Sequence, residues 1–367
     1  MATFLQKVQL LRGLLTGNAA STSPFFVTLD VTSRCNLQCL GCPYHSESAK
    51  GLPTPRNPGM MDMTIDFVKH LCNELKTTKT RSIVIEGSGE PFLNPHIFDM
   101  ISVIKAAGFQ LTLLTNGTLL DRNGIQRLVD AKVDTIKVSL WASSIKEYRL
   151  NYPGVNPTKN FKKVLDGLQL FSDIKAEQKS HFPVVWIHNP ITPHNFRSIN
   201  AMVDLAIKMK CNGLSFYPMT NFFRETLNST FSVDEEQLIY DSIMDAKKRL
   251  DTHSMQHNVS NVLIHREIGE KVWEKFPCYI TWIHARFRAD GTATPCCRCN
   301  QVLGNLNLTS FQKFWNRSTI HAFRRQTATR EGLIALNSDC RFCPHFLDNA
   351  RIHQVLKWLS PFQAKPH

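Results

Sequence analysis

An α/β fold followed by a small cysteine-rich domain is what this 367-residue sequence predicts, on three observations. From Phe25 to about Met219, strand-like and helix-like segments alternate, the rhythm of parallel strands joined by helical crossovers. Beyond about residue 254 that rhythm stops, and six of the eleven cysteines fall in the remainder: Cys278, Cys296, Cys297, Cys299, Cys340 and Cys343. The third observation is the run Arg-Cys-Asn-Leu-Gln-Cys-Leu-Gly-Cys, which sets Cys35, Cys39 and Cys42 directly behind the first strand.

The elements follow in order. Leu5, Val8, Leu11, Leu14 and Leu15 share a helical period with Lys7 and Arg12 among them, so residues 1–24 read as an N-terminal packing helix. Phe25–Val31 alternates apolar and polar residues and ends at the cysteine loop. After a proline-rich connection over residues 43–61 come helix Thr64–Lys76 and strand Ser82–Glu86. Helix Pro95–Ala107 leads to strand Gln110–Leu114, helix Asp121–Lys132 to strand Thr135–Leu140, and helix Asn160–Lys175 to strand Pro183–Ile187. Helix Ser198–Lys210 precedes strand Gly213–Tyr217, and Asp234–Thr252 reads as one more helix. Six β/α units over residues 25–254 can build an open doubly wound sheet or a partial barrel, and periodicity does not separate the two. Residues 255–367 form the second domain.

Composition bounds the function. With 43% hydrophobic and 20% charged residues the chain is an ordinary globular protein, long enough to bury a large core. No apolar run reaches the length of a transmembrane segment. Residues 1–20 lack the apolar core and cleavage site of a secretory leader, and an odd cysteine count without export signals points to metal ligation in a reducing, cytoplasmic setting. The net charge of +13 is dispersed along the chain, without a basic block or a nucleic-acid motif, so no nucleic-acid partner is expected. A zinc- or cluster-bearing scaffold or nucleic-acid-binding protein is the alternative of another class.

Cysteine thiolates are the usual ligands of [4Fe–4S] clusters, and three of them on one loop leave the fourth iron open to another ligand. A zinc site would normally close with four protein ligands, and no fourth is obvious near Cys42.

Cys-x3-Cys-x2-Cys resembles the signature of the radical S-adenosylmethionine (radical SAM) enzymes. The resemblance implies a partial (β/α)6 barrel with its site at the carboxyl ends of the strands. It further implies a [4Fe–4S] cluster whose open iron binds the amino and carboxylate groups of S-adenosylmethionine, and an electron donor such as flavodoxin or ferredoxin. An electron from the cluster then yields a 5′-deoxyadenosyl radical that takes a hydrogen atom from substrate. Gly41 departs from the aromatic residue often found before the third cysteine, which leaves Tyr44 as the nearby aromatic for the cofactor. Ser88-Gly89-Glu90-Pro91 is similar to the Gly-Gly-Glu-Pro segment that binds the methionyl amine, while Asn116 and Ser139 would line the same pocket. Lys137, His188 and Asn189 are candidates to face substrate.

The C-terminal cysteines resemble the SPASM or shorter twitch extension of these enzymes, which implies an auxiliary [4Fe–4S] cluster on Cys278, Cys296, Cys340 and Cys343, with zinc in the same thiols as the alternative. Cys297 or Cys299 can replace Cys296, and His284, Arg286 and Arg288 lie between the first two ligands on either a substrate-facing or a solvated strand face. Such a pairing suits the dehydrogenation of an alcohol on a sugar- or cyclitol-like, possibly anionic small molecule, with the auxiliary cluster taking the second electron. Redox-neutral epimerisation or dehydration, with Cys211, Cys297 or Cys299 as hydrogen donor, and peptide modification are the other readings.

Overall fold

The computed structural model describes residues 4–16, 20, 22–47, 61–218, 231–268, 275–299, 301–336, 343 and 345–359. Cys340 and most of the proline-rich connection lie outside the described residues. The N-terminal helix α1 spans Phe4–Thr16; it buries Leu10, whereas Val8, expected on the packing stripe, is 44% exposed.

Strands β1 (Phe26–Asp30), β2 (Ser82–Glu86), β3 (Gln110–Thr115), β4 (Thr135–Ser139), β5 (Val184–Ile191) and β6 (Gly213–Pro218) lie side by side in chain order, every pair parallel. A doubly wound sheet must reverse its strand order at a switch point, and this one does not. The crossovers are α2 (Ile65–Leu75), α3 (Ile97–Ala106), α4 (Arg122–Asp130), α5 (Ile145–Asn151) with α6 (Pro157–Glu177), and α7 (Ile199–Lys208). Thr64, Asp121 and Asn156 start α2, α4 and α6 by accepting the N–H three residues on, at 3.2, 2.7 and 2.9 Å.

Side chains alternate along a strand, so each strand has two faces. One parity is sealed beneath the helices: Val27 and Leu29, Ile83 and Ile85, Ile136 and Val138, Leu214 and Phe216. The other parity carries the polar side chains Thr28 and Asp30, Glu86, Lys137 and Ser139, His188, and Ser215 and Tyr217, with Val84, Leu114 and Trp186 among them. Glu86 on β2 acts electrostatically on Tyr217 on β6. In a flat sheet, strands four apart would stand about 19 Å from each other. The sheet is therefore curled about its polar face, and that face lines a lumen.

After α8 (Val233–Thr252) the chain adds β7 (Gln256–His257) to the β6 edge and continues through α9 (Val259–Ile268). The boundary expected near residue 254 is not a boundary of the sheet. Strand β8 (His284–Phe287) pairs in parallel with β1, setting Arg286 opposite Thr28, and carries β9 (Thr292–Thr294) and β10 (Gly304–Asn305) outward as antiparallel neighbours. The remaining helices α10 (Phe311–Trp315), α11 (Ser318–Thr327), α12 (Arg330–Ala335) and α13 (Phe346–Leu359) close that end. They are fastened to the barrel by polar contacts: Trp315 Nε1 donates to Thr22 O at 2.7 Å, and the N–H of Phe311 donates to Glu74 at 2.7 Å. Among the described residues no helix is long and apolar enough to cross a membrane.

Candidate active site

The cysteine loop is held from three sides. Arg34 grips the Asp62 carboxylate with Nε at 3.1 Å and Nη2 at 2.5 Å, fixing the approach to Cys35. The N–H of Glu90 donates to Arg34 O at 2.8 Å, and a Cβ on Gly89 would stand 2.3 Å from that same carbonyl, so only glycine allows the two segments to touch. Between Cys39 and Cys42, the N–H of Leu40 donates to Asn151 O at 2.8 Å, which ties the loop to α5. The N–H groups of Tyr44 and His45 then point at Cys42 Sγ, at 3.4 and 3.3 Å. Burial pushes the Cys35 thiol up to about 11 and the Cys39 thiol well above its ordinary value; both feel the charge of Cys42, and Cys39 also feels that of Cys35. Thiolates so disfavoured are stable only beside a compensating cation.

Below the loop lies a polar wall from β2 and β3. Glu90, 2% exposed, accepts Thr115 Oγ1 at 2.6 Å, the N–H of Asn116 at 2.7 Å and that of Phe92 at 3.3 Å. Burial raises its carboxyl to about 7 against those donors. Asn116 Nδ2 donates to Asn36 Oδ1 at 2.8 Å, so the wall and the cysteine loop share a side-chain network. His45 Nε2–H donates to Ser88 O at 2.6 Å. Ser139 stands half-buried at the end of β4, on the lumen face. Tyr44 meets Arg286, whose Nη2 donates to the phenol oxygen at 3.3 Å.

The lumen carries the titratable groups. Lys137 Nζ lies 5.9 Å from the Trp186 ring, its pKa lowered by burial and partly restored by Glu86. Trp186 lies flat across β6 because residue 213 is glycine; a Cβ there would stand 2.6 Å from the indole. His188 packs 4.4 Å from the Tyr217 ring and is driven down to about 3 by burial and by Lys137, so its imidazole is neutral. Asn189, expected beside it, takes the opposite parity and donates to Leu140 O at 2.8 Å; it supports the strands and does not face the lumen.

A second group of cysteines belongs to the C-terminal segment. Cys278, Cys296, Cys299 and Cys343 line one cavity with Pro295, Arg298, Phe323 and His345. Thr327 O accepts the N–H of Cys278 at 3.1 Å, and Asn349 links the two ends by accepting the N–H of Tyr279 at 2.7 Å and donating to Cys343 Sγ at 3.6 Å. Cys297 faces the other way, within electrostatic reach of Glu86, Arg286 and Asp30. Among the described residues no three His, Cys, Asp or Glu side chains converge as the ligands of a single ion would.

The profile of the radical SAM superfamily matches residues 29–205, and that of the iron–sulfur cluster-binding SPASM domain matches residues 278–344. The chain belongs to the radical SAM superfamily and carries a SPASM domain. A tungsten-containing aldehyde ferredoxin oxidoreductase cofactor-modifying protein of Pyrococcus furiosus is 25% identical over 280 residues, covering 74% of this chain and 71% of that protein. An AdoMet-dependent heme synthase of Methanosarcina barkeri is 26% identical over 188 residues, 51% of this chain and 48% of the relative. In fold, anSMEcpe with bound AdoMet superposes with a TM-score of 0.62 at 16% identity, over 92% of this chain and 100% of that one. Streptococcus suis SuiB bound to S-adenosylmethionine gives a TM-score of 0.62 at 16% identity, over 87% of this chain and 69% of that one.

The cofactors of this radical SAM protein are [4Fe–4S] clusters and S-adenosylmethionine. The donor types fit them: three cysteines on one loop, with two amides pointing at Cys42 Sγ, and four cysteines lining a separate cavity. Cys299 lines the cavity with Cys278, Cys296 and Cys343, whereas Cys340 lies outside the described residues. Of the three cysteines named as hydrogen donors, Cys211 sits at the amino end of β6, buried beside Lys175 and a strand's length from the carboxyl ends of the strands. Cys299 belongs to the cavity, which leaves Cys297 on the lumen side. His284 and Arg286 are buried on that same side, so the solvated-face alternative for this strand does not hold. Sequence reasoning missed Asp30, Glu86, Trp186 and Tyr217. The signal was the alternation in Ser-Ile-Val-Ile-Glu and its neighbours, which sets polar residues on one parity of otherwise apolar strands.

Proposed function

We propose that this radical SAM protein oxidises a small polar substrate, dehydrogenating an alcohol carbon of a sugar- or cyclitol-like molecule. The observation that carries the proposal is the place of Glu86, on the lumen face between Lys137 and Tyr217 on one side and Arg286 and Cys297 on the other. When bound, the clusters and S-adenosylmethionine supply a 5′-deoxyadenosyl radical and a sink for one further electron. Cys35, Cys39 and Cys42 would hold the first cluster, and Cys278, Cys296, Cys299 and Cys343 supply the thiols for the second.

The chain's own residues do the rest. Ser215 Oγ–H donates to Ile187 O at 3.3 Å, so its oxygen takes Nδ1–H of His188 at 3.4 Å and leaves Nε2 to accept a substrate hydroxyl. As the carbinol carbon loses its hydrogen atom and then an electron, Glu86 accepts the hydroxyl proton. Trp186 floors the pocket and Lys137 gives it positive charge. Two relatives are named for cofactor modification and heme synthesis, which supports a small molecule over a peptide. A small acidic electron carrier of the flavodoxin or ferredoxin type suits a chain of net charge +13, in a reducing, cytoplasmic setting.

The test is to incubate the anaerobically reconstituted protein, S-adenosylmethionine and a reductant with a small-molecule extract of the source cells. The reading predicts a product two hydrogens lighter than its precursor, formed with an equal amount of 5′-deoxyadenosine. A product of unchanged mass that carries solvent deuterium would overturn it.

A further inference from the structure

We propose that Arg286 and Arg288 form an anion subsite that seats a carboxylate or phosphate group of the substrate between the radical SAM loop and the auxiliary thiols. The substrate in this statement rests on the oxidative reading above; the site rests on geometry alone.

Arg286 and Arg288 are 1% and 7% exposed, and they share one face of β8 and its extension. Arg286 gives Nε to Asp30 at 3.1 Å and Nη2 to the other Asp30 oxygen and to Tyr44, yet its buried Nη1 has no hydrogen-bond partner. Arg288 leaves both Nε and Nη2 buried and unpartnered. The charged and titratable groups facing them are Asp30, Glu86, Asp290, Tyr44 and Cys297. Asp30 is already engaged by Arg286, and none of the others accepts a hydrogen bond from the open nitrogens.

Buried polar groups in native proteins are almost always paired, and each exception asks for an explanation. Two adjacent buried guanidinium groups with unused N–H donors are costly unless an anion completes them. The Nε and Nη2 groups of one guanidinium lie on one edge of its planar fork, the geometry that takes two oxygens of a carboxylate or phosphate. The position is also apt. Tyr44, from the cysteine loop, touches Arg286 on one side, and Cys297, next to the cavity-lining Cys296, reaches it on the other. An anionic handle held here would lay the body of the substrate along Glu86 and Lys137.

The methionyl carboxylate of S-adenosylmethionine is the other source of such a group, and calorimetry on the reconstituted full-length protein separates the two. Inorganic phosphate, malonate and S-adenosylmethionine are titrated separately into the wild type and the R288Q variant. The proposal predicts that the wild type binds phosphate or malonate, that R288Q binds it at least tenfold more weakly, and that affinity for S-adenosylmethionine is unchanged. R288K, which keeps the charge and loses the fork, is expected to fall between them and carries the comparison if R288Q does not fold. Failure of the wild type to bind either anion, wild-type binding in both variants, or loss of S-adenosylmethionine affinity in their place would overturn it. Binding is read without turnover, so this result stands apart from the product mass that decides the oxidation.

Discussion

The backbone N–H of Asn116 donates to the carboxylate of Glu90 at 2.7 Å, and that bond ties the end of β3 to the end of β2 directly beneath the cysteine loop. Thr115 and Phe92 supply two further donors to the same carboxylate, whose own N–H holds Arg34 O. One buried acid therefore sets the distance between the cysteine loop and the polar wall at the ends of β2 and β3.

E90Q turns one acceptor oxygen into a donor and leaves a buried N–H or hydroxyl facing an NH2 group. The expected loss is about 1–3 kcal/mol of stability. Displacement of the wall is expected to weaken S-adenosylmethionine binding by roughly tenfold or more. Urea denaturation reads the first and titration of the reconstituted protein reads the second; wild-type values in both would remove Glu90 from this role.

E86Q is expected to separate the two steps of the proposed oxidation. Without a proton acceptor in the lumen, 5′-deoxyadenosine still forms in the presence of substrate while the oxidised product falls by about 10²-fold or more, the range expected for loss of a general base. Parallel chromatography of the two compounds checks this. An equal fall in both would place Glu86 in cofactor binding instead.

Cys297 and Cys299 are two residues apart yet face different spaces, the lumen side and the auxiliary cavity. C299A is expected to lose about half of the bound iron, as one of two four-iron clusters would require, and C297A to retain it. Iron and sulfide analysis of the purified variants decides between them, and iron loss in C297A alone would reverse the assignment.

His284 supplies a pH signature. It is buried between Pro295 O, which accepts Nδ1–H at 2.9 Å, and Thr28 Oγ1, which donates to Nε2 at 2.9 Å. Burial holds its pKa well below the usual value. The unfolded chain takes up a proton near pH 6.5 that the folded chain refuses, so stability falls as pH drops below about 6.5, by up to about 1.4 kcal/mol per pH unit. H284Q should show a shallower decline than the wild type in thermal unfolding between pH 7.5 and 5.5; parallel curves would contradict the linkage.

Much of this is legible in the sequence where the signal is local. The helix starts at Thr64 and Asp121, the strand Ser82–Glu86 and the spacing of Cys35, Cys39 and Cys42 all depend on residues a few positions apart, whereas the helix read from Asn160 begins earlier, at the Asn156 cap. The parity rule, applied to every strand, would also have found Glu86 and Tyr217. What periodicity could not reveal is long-range. His284–Phe287 is a four-residue strand whose partner, β1, lies more than 250 positions earlier, and its pairing is what brings Arg286 to Asp30. Asn189 misled because its residue type suits a ligand pocket while its register points to the supporting face. Cys211 looked like a spare thiol until the direction of β6 set it at the far end of the sheet.

The central claim is that Cys35, Cys39 and Cys42 hold the cluster that generates the radical. The most direct test is 5′-deoxyadenosine formation by the anaerobically reconstituted protein given S-adenosylmethionine and dithionite, in the wild type and in C35A/C39A/C42A. The account predicts nucleoside release by the wild type alone, with bound iron falling from about eight to about four atoms per chain in the variant. Nucleoside release that survives the triple substitution, or none from a fully loaded wild type, would contradict it.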